Sequence, residues 1–438
     1  MQPRYFESLY PADTRSTEIE KIVGYIREGQ SCQILGLPGV GRSNILGLLS
    51  YNKEVRLKHF PKHYKDVHFV MVNFSEVRNR TLFDVMKFLF LSLTTSLRER
   101  EMMEEYVKID TLFKDKLAYN DELVLTQGLK DAVDYLAIEK KLTLVFLFDR
   151  FDEYIPSATA AFFVNLRSLR DRAKYRFSVV FSLTRPLEES VEPLLLSDFS
   201  DFIVGHAIYL SLYDVPSVAF RLHYLEKLLG EKISISEKDE LMKLTGGHLR
   251  LVKLAAESLL GQKEERPSVE TFLLSQKTIL SALQGIWRSL TPMEQLQLRS
   301  GTSEETESSY LERVGILHNG SLQIALLAGF IQALPQVESE KIVYDSATNT
   351  IRKGEVVLSD FLTKAEFRLL RLLLERENEV IERDEIIKHV WQEDRTTEGV
   401  TEQAVDQLVF RLRRKIEVDP NNPLHLLTIK GRGIKFTT

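Results

Sequence analysis

Along the first 205 positions, short unbroken apolar runs alternate with longer stretches in which apolar residues recur every three or four places. Ser31 to Leu35, Val67 to Asn73, Leu142 to Phe148 and Phe177 to Leu183 have the length and the β-branched or aromatic content of strands. They lack in-and-out alternation, which predicts strands covered on both faces, as in a parallel sheet. Thr81 to Leu97 and Asp121 to Glu139 have helical spacing, the second with Leu125, Leu129, Ala132, Val133 and Leu136 along one face. That alternation predicts a layered α/β domain over residues 1–205. From Asp214 to Gln276 the pattern becomes helical, with Val218, Leu222, Leu225 and Leu229 on one stripe, so residues 206–276 read as a helical lid. Residues 277–335 predict two helices and then a hairpin in which Asn319-Gly320 turns between short apolar runs, a small winged-helix-like arrangement. The polar stretch Gln336 to Lys341 marks a boundary before a last compact domain, residues 338–438. No internal repeat or heptad array interrupts this order.

The composition is that of a multidomain globular chain. Its 438 residues exceed what one hydrophobic core usually serves, and 44% hydrophobic with 28% charged residues fits neither a disordered nor a membrane protein. Apolar runs such as Leu144 to Phe148 fall far short of the ~20 residues needed to cross a bilayer, and the first residues lack a secretory pattern. A cytoplasmic location away from membranes is expected. The single cysteine, Cys32, lies on a strand candidate and reads as an inert core thiol. With a net charge of −5, any affinity for nucleic acid has to come from a local basic patch. His59, His63 and His68 lie close in sequence but have no carboxylate or cysteine at metal-ligand spacing.

Gly36-Leu37-Pro38-Gly39-Val40-Gly41-Arg42-Ser43 follows a strand candidate and precedes the apolar helix Ile45 to Leu49. Strand, glycine loop and helix form the context in which backbone N–H groups wrap a phosphate at a helix N-terminus. Gly36, Gly39, Val40, Gly41, Arg42, Ser43 and Asn44 are the nucleotide-binding candidates, with Ser43 placed to ligate Mg²⁺. Arg42 stands where the G-x-x-x-x-G-K-S/T pattern has lysine, and the bulkier planar guanidinium leaves open whether ATP is hydrolysed or only held. A slow ATPase is one outcome. The apolar run ending at Phe148 leads into Asp149-Arg150-Phe151-Asp152-Glu153, where a carboxylate can hold Mg²⁺ and another can orient water. Asp149 is the metal candidate, and Asp152 and Glu153 compete for the second role.

On these motifs, residues 10 to about 260 resemble the STAND-class NTPases, signal-transduction ATPases related to AAA+ and NACHT proteins. Asp149-x-x-Asp152-Glu153 is similar to the NACHT form of the acidic element. Leu183-Thr184-Arg185-Pro186 resembles the family's Thr-Ser-Arg-Pro segment, which implies a γ-phosphate sensor role for Arg185. Gly246-Gly247-His248 resembles a Gly-Gly-His-Pro turn of the lid, with Leu249 in place of proline. The resemblance implies phosphate contact by His248; a helix-capping histidine fits the residues equally well. Tyr10-Pro11 sits where such families cover the adenine. The resemblance implies ATP or ADP with Mg²⁺ as ligands, slow turnover and a conformational switch. In a homo-oligomer, one arginine of the run Arg167 to Lys174 could reach a neighbour's nucleotide; alone, the run is a solvated helix face.

The last hundred residues have their own signature. From Thr401 to about Ile416, Val405, Leu408, Val409, Leu412 and Ile416 make one stripe and predict a core-facing side. The other side presents Gln403, Gln407, Phe410 and Arg414, with Arg411 and Arg413 at its edges. Glutamine can pair with adenine in a major groove, and arginine with guanine or phosphate, so this is the recognition-helix candidate for double-stranded DNA. The tight turn near Gly431-Arg432-Gly433 puts Lys430, Arg432 and Lys435 at its end as a basic wing. Leu362-Thr363-Lys364-Ala365-Glu366, Ile381 to Ile387 with Val390-Trp391, Arg411 to Ile416, Asp419-Pro420 and Thr428 to Phe436 resemble, in order, the DNA-binding domain of OmpR/PhoB-type regulators. Gln403 and Phe410 depart from that family's usual arginines.

The expected fold class is therefore multidomain α/β and α+β: a P-loop parallel sheet with a helical lid, followed by two winged-helix domains. The leading function is a nucleotide-switched transcriptional regulator. An oligomerising ATPase of DNA transactions, such as an initiator or loader, and an antiviral or stress-signalling scaffold are the alternatives.

Overall fold

The computed structural model describes residues 5–62, 64–260, 268–300, 309–334, 341–354, 356–391, 401–417, 420 and 423–437. Much of the Gln336 to Lys341 boundary, Asp419 and His63 lie outside these described residues. Contacts divide the chain into two units: Met1–Ala282 with Thr306–Leu327, and Leu283–Glu305 with Ala328–Thr438.

The first unit is built on five parallel strands, β1 (Cys32–Leu35), β2 (Val67–Asn73), β3 (Thr143–Asp149), β4 (Phe177–Leu183) and β5 (Ala207–Tyr209), in the order β2-β3-β4-β1-β5. Every residue of β1 and β4 is buried, as continuous apolar runs in a doubly covered parallel sheet must be. The helices are α1 (Ser16–Arg27), α2 (Arg42–Tyr51), α3 (Lys53–His59), α4 (Leu82–Glu99), α5 (Met103–Leu117), α6 (Glu122–Asp134) and α7 (Ala160–Ala173), then the short turns α8 (Leu187–Ser190) and α9 (Pro193–Leu196). The predicted helix Asp121 to Glu139 changes to π-helical pitch at Tyr135–Glu139, and β3 starts and ends one residue later than its apolar run. Local chemistry starts several helices: Thr81 and Asp84 form a reciprocal cap on α4, and Asn52 accepts from the Glu54 and Val55 amides to begin α3.

The lid comprises α10 (Val215–Leu229), α11 (Ile235–Thr245), α12 (Leu249–Leu260) and α13 (Val269–Ser275). Next come α14 (Lys277–Arg288), α15 (Pro292–Ser300), α16 (Tyr310–Arg313), β6 (Leu317–His318), β7 (Ser321–Leu322) and α17 (Ala325–Ala333). The hairpin turn is where the sequence placed it: Asn319 and Gly320 both have positive φ, 48° and 72°, the pairing a two-residue turn between twisted strands requires. The unit boundary runs through this segment, so α16 and the hairpin belong to the first unit and α15 to the second.

In the second unit, β8 (Ile342–Asp345), β9 (Thr350–Lys353) and β10 (Val356–Val357) form an antiparallel sheet. It is followed by α18 (Lys364–Glu375), β11 (Val380–Ile381), α19 (Arg383–Val390), α20 (Glu402–Ile416), β12 (Leu426–Ile429) and β13 (Gly433–Phe436). β13 lies between β11 and β12, and Gly433 is needed there: a Cβ would fall 2.1 Å from the Ile381 carbonyl oxygen. One core joins Leu369, Leu373, Ile386, Val390, Leu408, Leu412, Ile434 and Phe436 from all three helices and the wing. α15 packs beside α20 within this unit. Among the described residues, no helix is long and apolar enough to cross a membrane.

Candidate functional site

Because β4 separates β1 from β3 in the sheet, the loops leaving the C-terminal ends of these three strands converge. The first is the glycine loop. Gly39 and Gly41 have φ of 90° and 111°, values that open the backbone for glycine and strain other residues. No side chain caps α2, so the amides of its first turn are left for another acceptor, the arrangement a phosphate occupies. Ser43 Oγ donates to Asp149 Oδ1 at 2.8 Å, joining the two Mg²⁺ candidates across the loops. A hydroxyl beside a buried carboxylate at a helix start is a hard-oxygen donor set that suits Mg²⁺ with phosphate.

The acidic loop rests on an aromatic floor. Phe74, Phe148, Phe151, Tyr154, Phe162 and Phe181 pack beneath it in edge-to-face, tilted and stacked pairs, while Arg150 takes a left-handed φ of 54°. This fixes the direction of the carboxylates that follow. Asp152, read from sequence as a candidate for orienting water, is held on both oxygens: Arg42 Nη1 donates to Oδ2 at 3.0 Å and the Thr184 amide to Oδ1 at 2.8 Å. Glu153 pairs with Arg78 at 3.2 Å. Arg42 thus reaches across to the acidic loop through one guanidinium nitrogen.

From Thr184 the network continues. Tyr310 Oη, at the start of α16, donates to the Thr184 carbonyl at 2.8 Å, and the Arg185 guanidinium lies over the Tyr310 ring, 3.6 Å from its centroid. Arg313 Nη1 donates to Tyr209 Oη at 3.1 Å, a second tie between α16 and the sheet end. The Thr184-Arg185 segment and α16 therefore form one joined assembly.

His248 is fully buried. Burial pulls its imidazole down to about 4, so at pH 7 it is neutral. Its Nε2 lies 3.1 Å from the Pro38 carbonyl and its Nδ1 accepts from the Leu251 amide at 3.3 Å, so it caps α12 and braces the glycine loop at once. The Arg250 amide donates to the Gly39 carbonyl at 3.2 Å beside it. Tyr10 is buried among Phe6 and Phe220, and its Oη accepts from Arg221 Nη2 at 2.7 Å. Two supports escaped the sequence reading. Arg15, also buried, donates to the Val40 and Ser211 carbonyls, and Arg221 ties the lid to Tyr10; neither lies in a motif or periodic pattern that marks it.

In the second unit, α20 buries the five residues its stripe predicts and exposes Gln403, Gln407, Phe410 and Arg414 together; Phe410 is 49% exposed. Arg411 and Arg413 leave that face. Arg413 Nε donates to the Leu426 carbonyl and Nη2 to Thr428 Oγ1, both at 2.8 Å, which clamps α20 to β12; Arg411 faces the buried Glu366 at 4.0 Å. Both sit one position off the exposed stripe, where a long side chain reaches a neighbouring element sooner than solvent. Lys430 and Arg432 are exposed at the wing turn, which Gly431 makes with φ of 71°. Glu417, unmarked in the sequence, is buried and accepts the Leu424, His425 and Leu426 amides to fix the entry to the wing.

Residues 361–436 match the family described as "Transcriptional regulatory protein, C terminal". The chain is 43% identical over 71 residues to the sensory transduction protein RegX3 of Mycobacterium tuberculosis, which covers 16% of this chain and 30% of that protein. It is 31% identical over 102 residues to the transcriptional regulatory protein KdpE of the same species, 23% and 43% of the two chains. The chain thus spans less than half the length of these curated relatives. Among solved structures, similarity extends to the Klebsiella pneumoniae RstA DNA-binding domain in complex with RstA box, with TM-score 0.20, 22% identity, and 23% and 95% of the two chains covered. It extends also to a Walker-type ATPase of Pyrococcus abyssi, with TM-score 0.42, 13% identity, and 81% and 96% covered. The chain therefore carries a C-terminal transcriptional-regulator domain of the OmpR/PhoB type, preceded by a parallel-sheet α/β domain with a P-loop-like layout.

Proposed function

We propose that the chain is a cytoplasmic transcriptional regulator of the STAND class. Its first domains, residues 1–205 and 206–276, hold ATP or ADP with Mg²⁺; residues 277–335 relay that state as a winged-helix-like element, and residues 338–438 bind double-stranded DNA. The observation that carries the reading is the joined path Arg42–Asp152–Thr184–Tyr310, from the phosphate loop to the segment that runs in sequence through α17 into the DNA-binding domain. The amides of the α2 first turn and Ser43 would hold the phosphates, and Ser43 with Asp149 the Mg²⁺. A terminal phosphate held there would offer Arg42 an alternative to Asp152, and Arg185 an alternative to the Tyr310 ring. When Arg42 lets go of Asp152, the Thr184 amide and carbonyl are free to shift, and Tyr310 with them. Two packings of α16 then differ in their affinity for nucleotide, which is what coupling to DNA requires.

The test is DNA affinity at fixed salt, by fluorescence anisotropy on duplexes selected from a random pool, without nucleotide, with ADP–Mg²⁺ and with ATP–Mg²⁺. Three equal affinities would sink the coupling. Tyr310→Phe keeps the stacked ring but loses the hydrogen bond to Thr184. We expect it to change the ATP-to-ADP ratio by about fivefold, the value of one hydrogen bond of roughly 1 kcal/mol.

On the DNA side, Arg414→Ala is expected to weaken binding and to reduce the salt slope by about one, as loss of one phosphate contact does. Arg413→Ala should instead lower the melting temperature, since its guanidinium holds β12. An unchanged affinity and slope for Arg414→Ala would remove it from the DNA-contacting face.

A further inference from the structure

A cavity of about 660 Å³ runs along β2, the edge strand of the sheet, between α2 and α4. Two arginines, one from α3 and one following α4, meet at one end of it. Arg100 Nη1 donates to the Val67 carbonyl at 2.9 Å, and its Nη2 and Arg56 Nη1 both reach the Ser50 carbonyl oxygen. Among the described residues, neither guanidinium has a carboxylate at ion-pair distance. Two like charges that converge on one acceptor repel each other, and most of their five N–H donors apiece are left to the cavity they line. Burial and the neighbouring Arg56 charge both disfavour the charged form of Arg100, and an anion would relieve both.

The acids that share the cavity are spoken for or distant. Glu99 Oε1 accepts from Tyr5 Oη at 2.6 Å, and Glu76 is exposed after the strand. Asp149 lies beside Asn73 at the far end of β2, about 20 Å from Val67 by strand rise. Between the two ends the wall mixes apolar Phe69, Met71, Phe88 and Leu91 with Ser92, Thr95 and Ser96. We propose that this cavity is a second ligand site, which binds a small organic anion by clamping a carboxylate or phosphate head between Arg56 and Arg100 and laying an apolar body along Met71 and Phe88. Paired guanidinium forks suit both head groups, and apolar walls with a few convergent polar groups are the usual make-up of small-molecule sites.

The experiment uses the full chain and ligand-observed NMR titrations with phenyl phosphate and with 3-phenylpropionate, and benzyl alcohol as the uncharged control. We expect saturable binding of at least one anion, none of the alcohol, and an affinity about tenfold or more weaker in Arg56→Gln but unchanged in Arg42→Ala. Which anion binds identifies the head group. Failure of both anions to saturate, equal affinity in Arg56→Gln, or loss in Arg42→Ala, which would place the probe on the phosphate loop, each overturns the proposal. If Arg56→Gln melts early, Arg56→Lys keeps the charge and loses the planar fork; it must still weaken binding, and wild-type affinity there also overturns it.

Discussion

Replacing Glu366 with alanine is expected to destabilise the second unit by about 3–5 kcal/mol, the cost of breaking an ion pair by removing its buried partner. The Glu366 side chain has no exposed surface. Its Oε2 accepts the Thr363 amide at 2.8 Å, which closes the cap at the start of α18, and Lys415 Nζ at 2.7 Å; Arg411 faces Oε1 at 4.0 Å. Lys415 also donates to the Phe361 carbonyl, so the carboxylate draws the end of α20 against the start of α18. Truncation removes the reciprocal cap, worth about 1 kcal/mol, and the carboxylate that Lys415 and Arg411 face on the inner edge of α20. Glu366→Gln retains an acceptor for the Thr363 amide and should cost less. Both tryptophans, Trp287 and Trp391, lie in this unit, so their fluorescence during urea unfolding reports its transition separately from that of the first unit. A midpoint shift equivalent to less than about 1 kcal/mol would show that Lys415 and Arg411 find other partners cheaply.

That carboxylate also shows where sequence reading stops. Thr363 and Glu366 have the spacing of a capping box, so the cap is visible in sequence, yet the same glutamate serves as counter-ion to a helix almost fifty residues away, and no local pattern encodes that. The same divide runs through the candidate phosphate site. Long buried strands, the glycine loop and the acidic strand end are periodic or local signals and were legible. β5 was missed because a three-residue strand carries too little pattern, though it covers the edge of β1. Arg42 was legible as a departure from lysine, but its partner was not: only the sheet order, with β4 between β1 and β3, brings Asp152 and Thr184 to its guanidinium. On α20 the buried stripe was readable and the fate of its flanking arginines was not, because a long side chain one step off the stripe turns toward whichever element lies nearer. β12 and Glu366 took Arg413 and Arg411 out of the exposed face.

The sharpest single test of the phosphate loop is Gly39→Val. At φ of 90° a β-branched residue is an outlier, and a Cβ built there would sit 2.8 and 2.9 Å from Arg250 Cβ and Cδ and 3.1 Å from His248 Cε1. The strain, about 1–3 kcal/mol, can be relieved in two ways. The loop can turn its peptides, which aims amides away from a phosphate and gives up charge-assisted hydrogen bonds worth roughly 1.5–3 kcal/mol each. Alternatively α12 can retreat, which breaks the Arg250 amide to Gly39 bond and the His248 brace on Pro38. Either route disorganises the nest, and we expect ATP–Mg²⁺ affinity to fall about a hundredfold or more, equivalent to about 2.7 kcal/mol. Gly24→Ala is the control. Gly24 lies within α1, a Cβ there would meet nothing within 4 Å, and alanine should stabilise that helix by up to about 1 kcal/mol without touching nucleotide. Calorimetric titration of the two variants beside the parent chain separates a binding effect from a folding effect. If the Gly39→Val chain takes up ATP as the parent does, the loop is not where the phosphates lie, and the path from Arg42 to Tyr310 loses its input.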